Sequence, residues 1–295
     1  MKKLIPLSFL CSALTVVNLP AQEVKKTTGF HHIESVATDG KFLYVADIGA
    51  ALKPTAIDGD GRIAKLDRKG KILEANFVKE PLNAPKGLAV YKDILFANDI
   101  NRVVAINLEN GNKLYEITFG EVTNFLNDIA IWDKNTLYVS ATDTNKLYKV
   151  DLTSKSFTEV ILNTTISGIN GLYCSEKSNK LYVNGFGSDN QPNGVFGCIN
   201  LKDNSFEQIT TVTGYYDGIF VKNDILYVSN WMAFEKKGFL LSIDINSHKI
   251  SRLNLPELIA GPADFILENN QLIIPAMLSG ELLFFPIDTS LKQRL

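Results

Sequence analysis

Six short polar doublets recur along the chain, each directly ahead of an apolar run. They are Glu34-Ser35, Lys86-Gly87, Asn127-Asp128, Asn170-Gly171, Asp217-Gly218 and Ala263-Asp264. Carboxylate and amide oxygens are hard donors, which suit calcium or magnesium better than zinc. A carboxylate beside a bound cation can also accept a proton from water. The same polar groups can instead surround trapped water in a purely structural channel, so the residue types alone leave both interpretations open.

The doublets belong to a unit that is repeated six times. Its second apolar run, as in "FLYVAD" and "ILYVSN", recurs at Leu43, Leu95, Leu137, Leu181, Leu226 and Leu272, 42 to 52 residues apart. Its third run ends at Asp67, Asn107, Asp151, Asn200, Asp244 and Asp288, 40 to 49 residues apart. The runs are short, rich in Val, Ile, Leu and Tyr, and show no helical period. Two independent series that agree on six copies predict an all-β fold, a six-bladed β-propeller with four antiparallel strands in each blade.

The N-terminal segment has the pattern of a signal peptide. A charged "MKK" precedes the apolar run "LIPLSFLCSALTVV", and the small residue Ala21 offers a cleavage site. We therefore expect residues 1–21 to be a signal peptide of an exported protein, periplasmic or extracellular, without stable membrane insertion. Residues 22–295 are expected to form one propeller domain. Because the sixth repeat lacks a fourth strand at its C-terminal end, we expect the mature N-terminus to complete that blade and cover its edge.

Charge and cysteine content exclude several classes of protein. The chain has 30 basic and 32 acidic residues, a net charge of −2, and it lacks the basic footprint of a nucleic-acid-binding protein. Cys174 and Cys198 lie on runs that a further strand separates, too far apart for a disulfide bond. We expect both to be reduced, buried thiols.

The first strand of each propeller blade lines the central axis, so the doublets are expected to form a ring at one mouth of the channel. The loops from second to third strands rim the same mouth. Three of them are long, following Asp47, Asn184 and Asn230, and long loops on one face suggest a shaped binding site. Phe186 and Trp231 in these loops are candidates for stacking on a sugar ring, with simple packing of the rim as the alternative.

Four doublets, those beginning at Glu34, Asn127, Asn170 and Asp217, resemble the pattern of the gluconolactonase and regucalcin (senescence marker protein) family of six-bladed propellers. The resemblance implies that Glu34, Asn170 and Asp217 bind a divalent cation, calcium in preference to magnesium. It implies that Asn127 lies close by as a further ligand or substrate contact, and that Asp217 is the catalytic general base of lactone hydrolysis. We assign substrate binding to Asn127, Asp128, Lys86, Trp231 and Phe186.

Two positions depart from the family pattern. Lys86 occupies the second-blade position, where it could pair with Glu34 and make a metal unnecessary, or bind an anionic substrate. Phe125 stands where the family often carries an arginine that holds substrate. The sequence therefore predicts a metal-dependent hydrolase of a sugar lactone or similar small ester, acting on a small-molecule ligand and not on nucleic acid. The alternative is a noncatalytic secreted propeller that binds a carbohydrate or a protein partner.

Overall fold

The computed structural model describes residues 24–175 and 178–287, and this part of the chain is built from β-strands. The strands are, in chain order, β1 (Lys25–Thr27), β2 (Ile33–Thr38), β3 (Phe42–Asp47), β4 (Arg62–Asp67), β5 (Ile72–Glu74), β6 (Pro85–Tyr91), β7 (Ile94–Asp99), β8 (Arg102–Asn107), β9 (Lys113–Thr118), β10 (Leu126–Asp133), β11 (Thr136–Ala141), β12 (Lys146–Asp151), β13 (Ser156–Val160), β14 (Ile169–Ser175), β15 (Lys180–Gly185), β16 (Phe196–Asn200), β17 (Ser205–Gln208), β18 (Tyr216–Lys222), β19 (Ile225–Asn230), β20 (Lys236–Asp244), β21 (Ile250–Arg252), β22 (Ile259–Ala260), β23 (Ile266–Glu268), β24 (Gln271–Ala276) and β25 (Glu281–Pro286). These residues contain no helix of the length and apolarity that a membrane crossing requires. The expected signal peptide and Asp288 lie outside the described residues.

The strands form six antiparallel sheets, one for each repeat. The strand orders are β2-β3-β4-β5, β6-β7-β8-β9, β10-β11-β12-β13, β14-β15-β16-β17, β18-β19-β20-β21 and β23-β24-β25-β1. We number these blades 1 to 6. These six sheets confirm the prediction of a six-bladed β-propeller with four-stranded blades. The fold forms because short runs in which buried and solvated positions alternate favour sheets that pack face to face.

Both ends of the propeller domain meet in blade 6, as the sequence predicted. Strand β1 pairs with β25, with Lys25 opposite Phe284 and Thr27 opposite Leu282. The Thr27 hydroxyl also donates to the carbonyl of Gly70 in blade 1, at 2.7 Å. The N-terminal strand therefore closes the ring and joins the last blade to the first.

Blades 5 and 6 differ in detail from the sequence expectation. In blade 6 the doublet Ala263-Asp264 lies outside the innermost strand, because β23 begins only at Ile266. Ahead of it, the Asp264 amide donates to the Glu34 carbonyl at 3.0 Å, and Ser35 and Asp264 form a parallel bridge. The backbone at Asp264 is thus paired with blade 1 instead of its own blade. In blade 5, the short strand β22 adds a further pairing to the long strand β20.

Every complete innermost strand is interrupted by a bulge at its doublet. The register shifts lie between Ile33 and Ser35, Pro85 and Leu88, Leu126 and Ile129, Ile169 and Leu172, and Tyr216 and Ile219. A bulge inserts an extra residue, bends the strand and changes the direction of its side chain. The same irregularity in five blades places the polar side chains at the axis, and it explains why they stand directly ahead of regular strands.

The two cysteines occupy separate strands of blade 4. Cys174 of β14 lies opposite Leu181, and Cys198 of β16 lies opposite Tyr182, with β15 between them. Both residues are thiols. Cys198 is buried, whereas Cys174 is only partly buried, so the expectation of two buried thiols is right for Cys198 alone.

Candidate metal centre

Three carboxyl groups from three blades converge at one end of the axis. Oxygen atoms of Glu34, Asp217 and Asp264 all lie within 4.8 Å of one another, and the three side chains are buried. Glu34 comes from the bulge in β2, Asp217 from the bulge in β18, and Asp264 from the segment before β23. Like charges so close together in a buried place repel strongly unless a cation or protons neutralise them.

Among the residues that the structure describes, five buried oxygen atoms around this mouth accept no hydrogen bond. They are Glu34 Oε2, Asn127 Oδ1, Asn170 Oδ1, Asp217 Oδ1 and Asp264 Oδ2. An unpaired buried polar atom costs about 1–3 kcal/mol, and native proteins leave few of them. Each of the five belongs to a doublet, so their occurrence is not scattered. Three carboxylate and two amide oxygens are the donor set that calcium takes from proteins, so the residues fit a divalent cation.

The amide of Asn127 is held in one orientation. Its Nδ2 donates to the Thr142 hydroxyl at 3.0 Å, and that hydroxyl donates onward to the carbonyl of Ile169 at 2.7 Å. Because the single hydroxyl proton is used for Ile169, Thr142 can only accept from Asn127. The amide nitrogen is therefore fixed at Thr142, and the amide oxygen is the atom left to bind a cation or a ligand.

Asp217 is held by its neighbours in a similar way. The Trp231 indole N–H donates to Asp217 Oδ2 at 2.9 Å, which leaves Oδ1 without a partner. The backbone carbonyl of Asp217 accepts from the Asn184 amide of blade 4. Trp231 thus orients the Asp217 carboxylate, which the sequence resemblance assigned as general base. The sequence did not predict this positioning role of Trp231.

Polar residues at one repeat position of the second strands hold the bulges in place. The Asn98 amide donates to the carbonyls of Asn127 and Asp128 at 2.9 and 3.1 Å. The Ser140 hydroxyl accepts from the Asp128 amide at 2.9 Å, and the Ser229 hydroxyl from the Gly218 amide at 2.7 Å. These positioning residues were missed in the sequence. Their signal was the polar residue that follows "LYV" or "LFA" in four of the repeats.

Asp264 was also missed as a candidate ligand. It is the second residue of its doublet, where four other copies carry Gly or Ser, and alanine occupies the preceding position. Only the pairing of its backbone with Glu34 brings its carboxyl group to the cluster. The acidic residue in the sixth doublet was the available signal. Because Asp264 is the second residue of its doublet, and Glu34 and Asp217 are first residues, the sequence did not predict that its side chain points to the same centre.

Asp128 has both carboxylate oxygens engaged by the backbone. They accept from the amides of Ile129 at 2.7 Å and Leu172 at 2.6 Å, and the Asp128 carboxyl lies close enough to that of Asp264 to share a proton with it. The contact with Leu172 crosses from blade 3 to blade 4. These bonds indicate that Asp128 braces the ring, and its assignment to substrate binding stays a prediction.

Lys86 is fully buried and does not form the ion pair with Glu34 that the sequence raised as an alternative to a metal. Its Nζ donates to the carbonyls of Pro54 and Ala84, each at 2.8 Å. It also lies 5.2 Å from the ring centroid of Phe125, and within residues 24–175 and 178–287 its ammonium group has no carboxylate within 4 Å. Pro54 belongs to the long loop 48–61, so Lys86 ties this loop to the mouth of the channel.

The acidic groups of the centre hold their protons unusually tightly. Burial, together with the charge of Asp217, raises the pKa of Glu34 well above its usual range. Burial raises the pKa of Asp217 to about 8, although the Trp231 hydrogen bond opposes the shift, and it raises the pKa of Asp264 well above normal. Burial lowers the pKa of Lys86 to about 8 against the opposing effect of Glu34. A divalent cation would oppose the shifts of the carboxyl groups, since it favours their charged forms.

Without calcium, the free energy of unfolding is expected to fall as the pH rises from about 4 to about 8. Asp217 has an ordinary pKa of 3.8 in the unfolded chain and about 8 in the folded protein. Between these values the folded protein binds more protons, so raising the pH removes stability. Surface carboxylates with a lowered pKa, such as Glu116, make the protein more stable as the pH rises, but only at pH values below about 4.5. The lowered pKa of Lys86 acts only above about 8.

Urea unfolding at about pH 5 and about pH 7.5, in EGTA and then in calcium, checks this expectation. Calcium should remove most of the loss of stability at the higher pH, because the ionised carboxylates then have a partner. A metal-free protein that is equally stable or more stable at the higher pH would contradict the expected charge balance.

Trp231 and Phe186 lie in a cluster of four aromatic rings beside the centre. Phe186 contacts Tyr215, Trp231 and Phe234 with ring centroids 5.1, 5.3 and 6.1 Å apart. Trp231 is only 3% exposed, whereas Phe234 is 52% exposed. A flat face for stacking is therefore offered by Phe234 and not by Trp231, whose indole N–H is used by Asp217.

A surface hollow of about 450 Å³ lies elsewhere on the molecule. Residues 59–62, 76 and 78–82 contribute its lining, at the junction of blades 1 and 2. None of the doublet residues lines it. We assign the candidate site to the axis, because the unpaired buried oxygens and the shifted pKa values both occur there.

Solved structures of other proteins share this fold at low sequence identity. A selenomethionine-substituted virginiamycin B lyase from Staphylococcus aureus is 15% identical, with 90% of this chain and 99% of that chain covered and a TM-score of 0.60. A structural genomics protein of unknown function from Bacteroides thetaiotaomicron is 11% identical, with 90% and 72% covered and a TM-score of 0.66. Hydrazine synthase from Kuenenia stuttgartiensis is 15% identical, with 91% and 77% covered and a TM-score of 0.61.

The six sheets place the chain in the class of six-bladed β-propellers, and at such identities the similarities to other proteins show the fold alone. No protein-family model matches the sequence, and the comparison with curated proteins found no match. The gluconolactonase and regucalcin family is therefore not confirmed by the comparisons.

Proposed function

We propose that the protein is a divalent-metal-dependent hydrolase of a lactone or similar small ester, exported from the cell. The observation that carries this proposal is the group of five unpaired buried oxygens from Glu34, Asn127, Asn170, Asp217 and Asp264. Hard oxygen donors in this number favour calcium over magnesium, because magnesium usually keeps several of its waters. The signal-peptide pattern of residues 1–21 supports export.

When bound, a divalent cation supplies Lewis acidity toward a carbonyl oxygen. Asp217 is the residue that moves the proton. Trp231 holds its Oδ2, so the Oδ1 edge faces the reacting water and takes its proton as the water oxygen adds to the carbonyl carbon. The carbon–oxygen bond of the ester then breaks, the proton passes to the departing alkoxide, and the product is a hydroxy acid or an acid and an alcohol.

Lys86 binds the acyl oxygen or a carboxylate of the substrate in this proposal. An ammonium group has three hydrogens, and the carbonyls of Pro54 and Ala84 account for two of them. Within the described part of the chain the third has no acceptor, and in this proposal it is the hydrogen that the substrate accepts. A cation in this position takes the place of the arginine that Phe125 replaces in the family pattern, and it favours a substrate with one polar end.

The proposal is tested by two measurements on the purified protein. Calorimetry with calcium and with magnesium should show one site per chain, with calcium bound more tightly. A panel of lactones and small esters should be hydrolysed in calcium and not in EGTA. If calcium binds but nothing on the panel is hydrolysed, the cation is structural and a noncatalytic propeller is the better description. If neither metal binds, the proposal fails.

A further inference from the structure

One residue directly follows the second strand of each blade. In blade order these residues are Ile48, Ile100, Thr142, Phe186, Trp231 and Met277, and five of the six are apolar. We call these six residues the collar. In blades 1, 3, 4, 5 and 6 the amide of the collar residue donates to the carbonyl of the residue two positions before the doublet, as Trp231 does to Tyr215 at 3.0 Å. The collar therefore lies directly beside the doublets in the fold.

The collar offers a ligand almost no hydrogen-bonding groups. Ile48, Ile100, Trp231 and Met277 belong to one buried apolar cluster, against which Phe186 packs. The single hydroxyl, that of Thr142, is already bonded to Asn127 and Ile169. The indole N–H of Trp231 is bonded to Asp217. His32, which also borders the collar, has its Nδ1 3.2 Å from the carbonyl of Met277.

The apolar surface continues from the collar to solvent on the side of blade 5. Phe234 contacts Trp231 and Tyr215 with ring centroids 5.4 and 5.8 Å apart, and it is 52% exposed. Met232, two residues earlier, is 49% exposed and has a φ of 60°. This φ is uncommon for a residue other than glycine, and such backbone strain persists mainly where the surrounding structure requires it. An apolar track thus runs from Phe234 through Trp231 to Asp217.

We infer that the substrate has an apolar body, an alkyl or aryl lactone or ester, and is not a sugar lactone. The inference rests on the proposed function, since it concerns the substrate of the same centre. The carbonyl end meets the polar ring and Lys86, while the body lies along the exposed side chains of Phe234 and Met232, next to Trp231. A sugar lactone would bring several hydroxyls against the collar, and each buried hydroxyl left without a partner weakens binding.

The test uses ligands that the protein cannot hydrolyse, so it does not depend on activity. A δ-lactam with a butyl substituent and gluconolactam are titrated in calcium against a Trp132→Phe variant, in which Trp231 is the remaining tryptophan and reports binding by its fluorescence. The butyl lactam is expected to bind about 100-fold more tightly, from about 0.8 kcal/mol per buried methylene. Phe234→Ala should weaken the butyl lactam about tenfold or more, and Phe234→Leu should restore most of the loss. Leu114→Ala, on the outer strand β9, should change nothing.

Equal or tighter binding of gluconolactam, binding of neither lactam, or a Phe234→Ala variant that binds like its parent would overturn the inference. Its failure is distinct from that of the proposed function. If the butyl lactam binds as expected but no lactone or ester is hydrolysed, the hydrolase proposal fails and the apolar site stands. If gluconolactone is hydrolysed faster than alkyl lactones, the hydrolase proposal stands and the inference fails.

Discussion

Replacing Asp217 by asparagine is expected to lower kcat for lactone or ester hydrolysis by about 10²- to 10⁴-fold, the usual contribution of a positioned general base. The substitution removes the group that accepts the proton and one negative charge of the centre, while its size is unchanged. The side chain is buried and its carboxyl pKa is raised to about 8, so a neutral amide is compatible with the fold. Kinetics at saturating calcium, with a melting curve of the variant, measure the effect.

The hydrogen bond from Trp231 to Asp217 allows the loss of the base to be separated from the loss of a calcium ligand. In Asp217→Asn the one amide oxygen can accept from the Trp231 indole, which is 2.9 Å from Oδ2 in the parent, or it can face the cation. The amide nitrogen must occupy the other side, so calcium affinity should fall as well, roughly tenfold with the loss of one ligand charge. Adding Trp231→Phe frees the amide oxygen to turn toward the cation.

The double variant should therefore regain part of the calcium affinity, as measured by calorimetry, and none of the activity. Trp231→Phe alone is the matched control, since it keeps the base and loses only the bond that orients it. An Asp217→Asn variant with near-normal kcat would show that Asp217 is not the base. A double variant that recovers both affinity and activity would assign Asp217 to metal binding alone.

The fold of this protein was readable from its sequence because the repeat is redundant. The repeat occurs six times, each time with short apolar runs and polar turns. A strand that is ambiguous in one copy is therefore identified from the other five. Closure by the N-terminal strand followed from one missing strand in the sixth copy. The short β23 was not predictable, because the pairing of Asp264 with Glu34 is a contact between the first and last repeats that no local pattern encodes.

The centre itself was predictable only as far as the repeat specified it. Glu34, Asn127, Asn170 and Asp217 occupy the same position of the repeat, and in each of their blades the structure has a bulge at that position. The partners of Lys86 were out of reach, because Pro54 lies in a loop whose path depends on packing. The same is true of the bond between Trp231 and Asp217, which joins a loop to a strand of the same blade.

Calcium is expected to raise the melting temperature of the protein by roughly 5–10 °C at a concentration about 100 times its dissociation constant. Binding to the folded state alone contributes about 2.7 kcal/mol at that ratio, and a large domain gains about 2–4 °C for each kcal/mol. Terbium, a trivalent substitute for calcium, should bind the same oxygens and emit when Trp231 is excited, since the indole is bonded to the proposed ligand Asp217. Trp231→Phe should abolish this sensitised emission, and Trp132→Phe should preserve it.

Substitutions of the proposed metal ligands test whether Asp264 binds the cation. Glu34→Gln and Asp264→Asn each remove one of three carboxylate charges that lie within 4.8 Å of one another, so each should weaken calcium about tenfold or more, as affinity follows ligand charge. Glu159→Gln, which removes an equal charge from the outer strand β13, should leave calcium affinity unchanged. Both variants of the centre should also be more stable than the parent in EGTA near neutral pH, because each removes a buried carboxyl group that must take up a proton or carry a repulsive charge in the folded protein. Lower affinity together with higher metal-free stability is the signature of a ligand. An Asp264→Asn variant that binds calcium like the parent would instead make Asp264 a hydrogen-bonding partner of Asp128, and the cation would then be held by Glu34, Asn127, Asn170 and Asp217.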